Sequence, residues 1–519
     1  MLITQLFQQA LVLNPDGLST VFESRTRTWR ETHDRVARAG TSLANLSQSS
    51  DSFIAVLAMN SDRYLELFFA IPWAGYAIAP MNIRWSSLEN LQTLEDCGAH
   101  VLLVDEHFKE QGLELARHRT LSLIYIGDGE TPPGMLNYEA LLEATSPLPE
   151  AQLSPQDLFA VFYTGGTTGS PKGVAFTHQS LCQASVAYLA MLPDTEDMRF
   201  AYVGGFFHFS AASHLLYTTL AGGSHIILPK FEPEPMMKAI SQHSATNAVM
   251  VPTMITSLLN HPDFAKHDLS SMRTLVYGGS PIARELLEEA ARKLPGWRFF
   301  QIYGMTETGG FATMLRWRDH LFEGPAKHRI LSCGQPAPGV EVRICDPQGA
   351  ELPRGELGEI VMRSDYVMLK YLGKPAETAE TLREGWIHSG DAGYMDEDGY
   401  LYVADRIKDM IVSGGENVYS IEVERALYAH HAVLQAAVIG IPSPQWGEAV
   451  HAIVLLRVEA DADEAKLIAH CRELIGAYKC PKSIEFVTSP LPTGPAGKIQ
   501  KAKLRAQYWQ DETDKLRSS

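Results

Sequence analysis

Short apolar runs alternate with amphipathic stretches along most of this chain, and that alternation limits the fold more than any other feature. Residues 53–59 read as a strand, 62–73 as a helix, 87–97 as a second helix with serine at its start, and 101–104 as the next strand. Runs at 159–163, 226–228, 248–251, 274–276 and 299–302 continue the series, each followed by turn residues or a helical stretch. Strands alternating with helices predict parallel sheets covered by helices on both faces. Between about residues 340 and 403 the pattern shifts to short strands with tight turns, as at Asp346-Pro-Gln-Gly349 and Asp396-Glu-Asp-Gly399, which predicts an antiparallel β subdomain. A fresh α+β pattern follows Asp405: helix 421–428, strands 434–439 and 452–456, helix 463–475 and strand 484–487. The expected fold is α/β, with a large N-terminal region over 1–404 of parallel and mixed sheets flanked by helices. That region includes the β subdomain, about 330–404, and a small α+β domain follows over 405–519.

A chain of 519 residues is too long for one ordinary core, which agrees with this division. Hydrophobic residues at 45% and charged residues at 20% exclude a disordered or collagen-like chain. The net charge of −17 repels nucleic acid and anionic membrane, so neither is expected as a partner. Residues 405–519 carry 14 Lys and Arg against 15 Asp and Glu, so this part is the less repulsive face for an anionic ligand. Six scattered cysteines without a C-x-x-C pair read as reduced thiols in a cytoplasmic protein. Residues 1–10 have neither a basic start nor an apolar run of signal-peptide length. The stretch 67–81 is interrupted by Pro72, Gly75 and Pro80 and falls short of the ~20 residues of a spanning helix, so it reads as a buried helix followed by a strand, and no integral membrane segment is expected.

The strongest local motif is Tyr163-Thr-Gly-Gly-Thr-Thr-Gly-Ser-Pro-Lys-Gly173, directly after an apolar run. Glycine lets backbone N–H groups turn towards an anion, hydroxyls add donors and lysine supplies a point charge. Thr164, Gly165, Gly166, Thr167, Thr168, Gly169 and Lys172 therefore form a candidate phosphate cradle, although the spacing departs from G-x-x-x-x-G-K-[ST]. A linker of small residues is the plainer alternative, and the hydroxyl clustering with a terminal lysine disfavours it. Four further segments are each weak alone: Gln301-Ile-Tyr-Gly-Met-Thr-Glu307, His388-Ser-Gly-Asp391, the Asp405-to-Asn417 run with Arg406, Lys408, Gly414 and Gly415, and Pro492-Thr-Gly-Pro-Ala-Gly-Lys498. The first of these ends a predicted strand at the carboxyl edge of a sheet, where ligands of α/β folds bind.

Taken together and in this order, the five motifs resemble those of the AMP-forming acyl-CoA synthetases, in the adenylating superfamily that includes peptide-synthetase adenylation domains and luciferases. The resemblance covers nearly the whole chain. It implies two half-reactions: a carboxylate attacks the α-phosphate of ATP to give acyl-adenylate and pyrophosphate, and a thiol, that of coenzyme A, then displaces AMP. A carboxylate approaching a polyanion needs positioning and charge neutralisation rather than a protein nucleophile. By this resemblance residues 164–172 hold the β- and γ-phosphates, Tyr303 packs on adenine, Thr306 meets the α-phosphate, and Glu307 holds Mg²⁺. Asp391 accepts the ribose hydroxyls beside Arg406, while Gly279, Ser280, Gln301 and Gly304 complete the nucleotide positions. Lys498 bridges the carboxylate and the α-phosphate. Residues 1–404 become the AMP-binding domain and 405–519 a mobile domain that turns at Lys408. Gly414 and Gly415 line a pantetheine tunnel, and Trp446, with Arg84, Lys479 and Lys482, is placed at the nucleotide end of CoA.

His208, in Gly205-Phe-Phe-His-Phe-Ser210, matches a segment that contacts the acyl carboxylate or closes its tunnel, with a core histidine as the plain alternative. Residues 206–214 contain no aspartate to meet an ammonium group, so a fatty or aromatic acid is expected rather than an amino acid. Gly279 and Gly310 are expected to leave room for its ring or chain. The implied partners are a small carboxylic acid, ATP, Mg²⁺ and CoA, with a homodimer left open. The alternative is a stand-alone adenylating enzyme that loads its acyl group onto a carrier protein.

Overall fold

The chain is described here from a computed structural model that covers residues 1–46, 53–165, 171–193, 195–280, 282–414, 416–457, 460–493 and 499–517. Among the described residues the strands form four sheets. The largest has nine strands, and its centre is parallel: Arg298–Tyr303, Thr274–Gly278, Asn247–Met250, Arg199–Tyr202 and Ser224–Ile227 lie side by side. Leu18–Phe22 extends it in parallel next to Ser224–Ile227, and short antiparallel strands close both edges. The second sheet has eight strands, with Ala77–Pro80, Phe53–Leu57, Val101–Val104 and Ser122–Tyr125 in parallel. Its edge is a hairpin-like antiparallel pair, Leu158–Thr164 with Lys172–Thr177, flanked by Lys370–Tyr371. These are the parallel and mixed sheets that the alternating pattern predicts.

Local chemistry accounts for the element ends. Ser61 accepts a hydrogen bond from the Tyr64 N–H at the start of helix Asp62–Trp73, every residue of which is buried. Strand Ala77–Pro80 follows, so the stretch 67–81 is the helix and strand expected of it. Ser86 and Glu89 form a capping box on helix Ser87–Cys97, and Gly98 ends it at φ 70°, a conformation costly for other residues.

The third sheet is antiparallel, built from Glu341–Cys345, Gly358–Arg363, Leu382–Arg383, Trp386–Met395 and Leu401–Arg406. The two expected turns are present. At each, an aspartate accepts backbone N–H bonds through its side chain, and a glycine with φ near +80° completes the reversal. The fourth sheet, between residues 411 and 487, is antiparallel except for Ser483–Val487, which adds in parallel to Gly447–Leu456.

The main core lies around the two large sheets and gathers Phe7, Trp29, Phe68, Phe162, Phe176 and Phe209. Helix Ile3–Leu13 contributes Ile3, Leu6, Phe7 and Ala10 to it from one helical face. The six cysteines are buried and unpaired with one another, and burial pushes every thiol above its ordinary value, Cys182 and Cys471 to about 12. Among the described residues no helix is long and apolar enough to cross a membrane.

Candidate functional site

Strand Arg298–Tyr303 runs out of the large sheet and delivers Tyr303 towards the third sheet, where the Tyr303 hydroxyl donates to Asp391 Oδ2 at 2.7 Å. Asp391 lies on Trp386–Met395, opposite Arg406 in antiparallel register, and Arg406 Nε pairs with Asp391 Oδ1 at 2.6 Å. The carboxylate is thus held from both sides. Its own N–H donates to Ser389 Oγ, whose hydroxyl donates to the Ile360 carbonyl. Burial, and then the neighbouring carboxylate, push the Tyr303 phenol well above its usual value, so it remains a donor.

A second cluster forms where the chain leaves Tyr303. The turn Thr306–Thr308 carries Glu307, 6% exposed, and Tyr371 donates its hydroxyl to Glu307 Oε1 at 2.7 Å. Lys172, the first residue of its strand, places its ammonium over the face of the Tyr371 ring, 5.1 Å from the centroid. Thr164 lies opposite Lys172 in the hairpin register, and its hydroxyl faces the Lys172 carbonyl at 3.5 Å. Lys172 and Glu307, far apart in sequence, therefore share one tyrosine as neighbour. Tyr371 belongs to none of the motifs read above.

Several other candidates take definite places. Gly279 has φ +79° and an open surround, with only Val251 within 4 Å of where a Cβ would stand, and Ser280 follows it half-buried. A Cβ on Gly304 would meet the Phe311 Cα at 2.6 Å, so glycine is required where the chain doubles back. Thr306 is half-buried beside Glu307. The Gln301 amide is engaged inside the protein: its Nε2 donates to Cys333 Sγ and its Oε1 lies 3.4 Å from the Tyr277 hydroxyl. His208 is the half-buried residue before helix Phe209–Leu220, its ring tilted 40° to that of Phe207 with 4.2 Å between ring centroids. The core histidine of that helix is His214, bonded to the Tyr188 hydroxyl and held by burial at about 4.

The space expected beside Gly310 is filled. A Cβ there would come within 2.8 Å of the Phe209 ring, which is locked against Phe162 and Phe176 in the core. The missing side chain at Gly310 seats Phe209 rather than a ligand.

In the C-terminal part Gly414, at φ +62°, donates its N–H to the Trp446 carbonyl, and the indole lies 2.9 Å from where its Cβ would be. Lys482 sits over the Trp446 ring at 5.5 Å. Lys479 pairs with Glu422 at 2.7 Å, and Arg84 is exposed just past strand Ala77–Pro80. Lys408 lies in the turn Ile407–Asp409, and only its backbone is described. Gly165 ends the described part of its loop, and Gly166, Thr167, Thr168, Gly169, Gly415 and Lys498 lie outside the described residues.

One buried network was not read from the sequence. Asp405 accepts from the backbone and hydroxyl of Ser420, and Lys501, on the helix Lys501–Arg517, donates to Ser420 Oγ and pairs with Glu424 at 2.7 Å. Burial alone would lower the Lys501 ammonium, yet Glu424 and Asp405 outweigh it and hold it above the usual lysine value. A lone lysine in a basic stretch reads as solvated, so only the partner positions could have marked it.

Residues 7–372 match the family of AMP-binding enzymes, and residues 422–498 match the C-terminal domain of the same enzymes. The chain belongs to the AMP-binding enzymes. A feruloyl-CoA synthase of Amycolatopsis sp is 38% identical over 498 residues, covering 96% of this chain and 97% of that relative. The fatty acid–acyl-carrier-protein ligase ScoC of Streptomyces coeruleorubidus is 33% identical, covering 97% and 95%. In fold, the amide bond synthetase McbA of Marinactinospora thermotolerans superposes with a TM-score of 0.89 at 28% identity, covering 98% of this chain and 99% of that one. The α/β architecture, with its large N-terminal region and separate C-terminal domain, is that of this family.

The donor set at Glu307 bears on a divalent cation. Among the described residues of this AMP-binding enzyme no three His, Cys, Asp or Glu side chains cluster as a metal cage. A single buried carboxylate suits a hard cation that arrives with most of its oxygen ligands supplied by phosphates and water. Glu307 therefore fits Mg²⁺ carried by a nucleotide triphosphate.

Proposed function

We propose that this enzyme is an AMP-forming carboxylate–CoA ligase, which activates a fatty or aromatic acid with ATP and passes the acyl group to coenzyme A. The observation that carries the reading is the pair of clusters at the two ends of one site. Tyr303, Asp391 and Arg406 suit a ribose, and Lys172 with Glu307 suits a metal-bearing polyphosphate.

Asp391, its charge already matched by Arg406, accepts the ribose hydroxyls. Tyr303, Gly279, Ser280 and Gly304 frame the base. Gln301, on the same strand as Tyr303, is held by Tyr277 and Cys333 beside these positions. Thr164, Lys172 and the intervening loop hold the terminal phosphates, and Thr306 orients the α-phosphate. Mg²⁺, when bound by Glu307, neutralises charge on the phosphate oxygens and so lowers the repulsion that the incoming carboxylate meets. Lys498 adds a positive charge at the point of attack, and His208 borders the acyl group. Residues 1–404 act as the AMP-binding domain, with the β subdomain at its end, and 405–519 turn about Lys408 to open the adenylate to a thiol. Gly414, Gly415 and Trp446, with Lys482, then receive the CoA chain and its nucleotide. The six enclosed, unpaired thiols suit a reducing compartment such as the cytoplasm.

Feruloyl-CoA synthase among the relatives favours an aromatic acid, and ScoC keeps a carrier protein as the second acceptor. Pyrophosphate release is the test, screened over fatty, aryl and amino acids with and without CoA. Acid-dependent release with thioester formed on CoA is expected; release without transfer to CoA moves the reading to the carrier-protein ligase, and no release with any acid ends it. Within this scheme Lys498→Ala should slow adenylation by about 10²–10³ while leaving preformed acyl-adenylate competent for thioester formation. Equal slowing of both half-reactions would count against a domain that turns between them.

A further inference from the structure

Glu307 and Lys172 carry opposite charges and are both neighbours of Tyr371, yet the ammonium lies on the ring face and not on the carboxylate. Where nothing intervenes in this site, opposite charges do close: Arg406 pairs with Asp391 at 2.6 Å. In a partly buried setting such attraction is strong, and a side chain that touches both groups can act as a spacer between them. Tyr371 is in position to be that spacer, and its location is fixed by backbone. It lies opposite Val174 in the antiparallel pairing, and Leu369 and Leu372 donate to the carbonyls of Ala175 and Gly173. Met368 donates to the Glu307 carbonyl at 2.8 Å, so one short segment is tied both to the strand that begins with Lys172 and to the turn that carries Glu307.

We propose that Tyr371 is a positioning residue for adenylation: its hydroxyl orients the Glu307 carboxylate for the divalent cation, and its ring keeps the Lys172 ammonium free for phosphate. This rests on the reading of Glu307 and Lys172 given under Proposed function. The hydroxyl engages Oε1 by donating to it, which orients the carboxylate and reduces no charge. The aromatic face gives Lys172 a weak resting place that a phosphate can outbid, whereas a carboxylate would hold it.

The test separates hydroxyl from ring in the full-length enzyme, without acid, so that no turnover occurs. Mn²⁺ is titrated into enzyme with ATP and read by electron paramagnetic resonance, and ATP binding is measured separately in EDTA. Tyr371→Phe keeps the ring and loses the donor, so it should weaken Mn²⁺ binding by about 10-fold, the lower end of the loss typical when a carboxylate's outer partner is removed, and leave metal-free ATP binding unchanged. Tyr371→Leu loses both, so it should weaken metal-free ATP binding as well, as Lys172 closes on Glu307. In a Glu307→Gln background the additional effect of Tyr371→Phe on Mn²⁺ should vanish. Should the phenylalanine variant fail to fold, Tyr371→Leu in a Lys172→Ala background isolates the hydroxyl, since no ammonium is left to close on Glu307, and it should show the same loss of Mn²⁺ affinity relative to Lys172→Ala alone. Unaltered Mn²⁺ affinity in Tyr371→Phe, or an equal loss of metal-free ATP binding, overturns the proposal. If Glu307→Gln itself leaves Mn²⁺ binding intact, the fault lies instead in the assignment of Glu307.

Discussion

The two ends of the site use the same three chemical groups in different order. At each, a tyrosine hydroxyl donates to a carboxylate at 2.7 Å and a cation stands close by. At Asp391 the cation is on the carboxylate itself; at Glu307 it is held on the tyrosine ring. A carboxylate already paired with a guanidinium keeps its lone pairs for neutral hydroxyl donors but has little net charge to offer a metal. One whose cation is kept apart retains that charge. The difference teaches that the placement of the cation, and not the identity of the acid, decides which carboxylate keeps its charge, and the proposed sugar-binding and metal-binding roles rest on that distinction.

That contrast can be broken at either end. Glu307→Ala should have the largest effect, a loss on the order of 10²-fold in acid-dependent pyrophosphate release together with a raised Mg²⁺ requirement; unchanged rates at limiting Mg²⁺ would dissolve the distinction. Asp391→Asn removes the charge and strands Arg406, and a hydrogen bond to a charged group contributes about 1.5–3 kcal/mol. It should raise the KM for ATP by about 10- to 100-fold while the Mg²⁺ dependence stays where it was. A shifted Mg²⁺ dependence would mean that the two carboxylates share one role. The smallest expected effect is that of Tyr303→Phe, which deletes one donated bond and should raise the KM for ATP by about 3- to 10-fold, again without touching the metal titration.

How far the sequence alone reaches depends on whether a contact is local. Helices Asp62–Trp73 and Ser87–Cys97, strand Val101–Val104, and the turns at Asp346 and Asp396 follow from apolar runs, caps and turn residues within a few positions. Tyr303, Glu307 and Asp391 stand out because their motifs occur in a recognisable order. Tyr371 does not, since it sits in a two-residue strand whose partner comes much earlier in the chain, and its meaning depends on where one hydroxyl points. Gly310 misleads for a related reason: small size in sequence cannot distinguish room for a ligand from room for Phe209. The Asp405–Ser420–Lys501–Glu424 network is silent because burial of a lysine is a tertiary fact.

The buried cysteines have a chemical consequence for an enzyme of this kind. An acyl-adenylate is a mixed anhydride, and any accessible thiolate would intercept it before the intended acceptor. Thiolates, not thiols, are the nucleophiles, and each of the six side chains is both enclosed and biased towards its protonated form. An acyl-adenylate, the intermediate of the proposed reaction, would therefore meet no ready sulfur nucleophile among these six side chains.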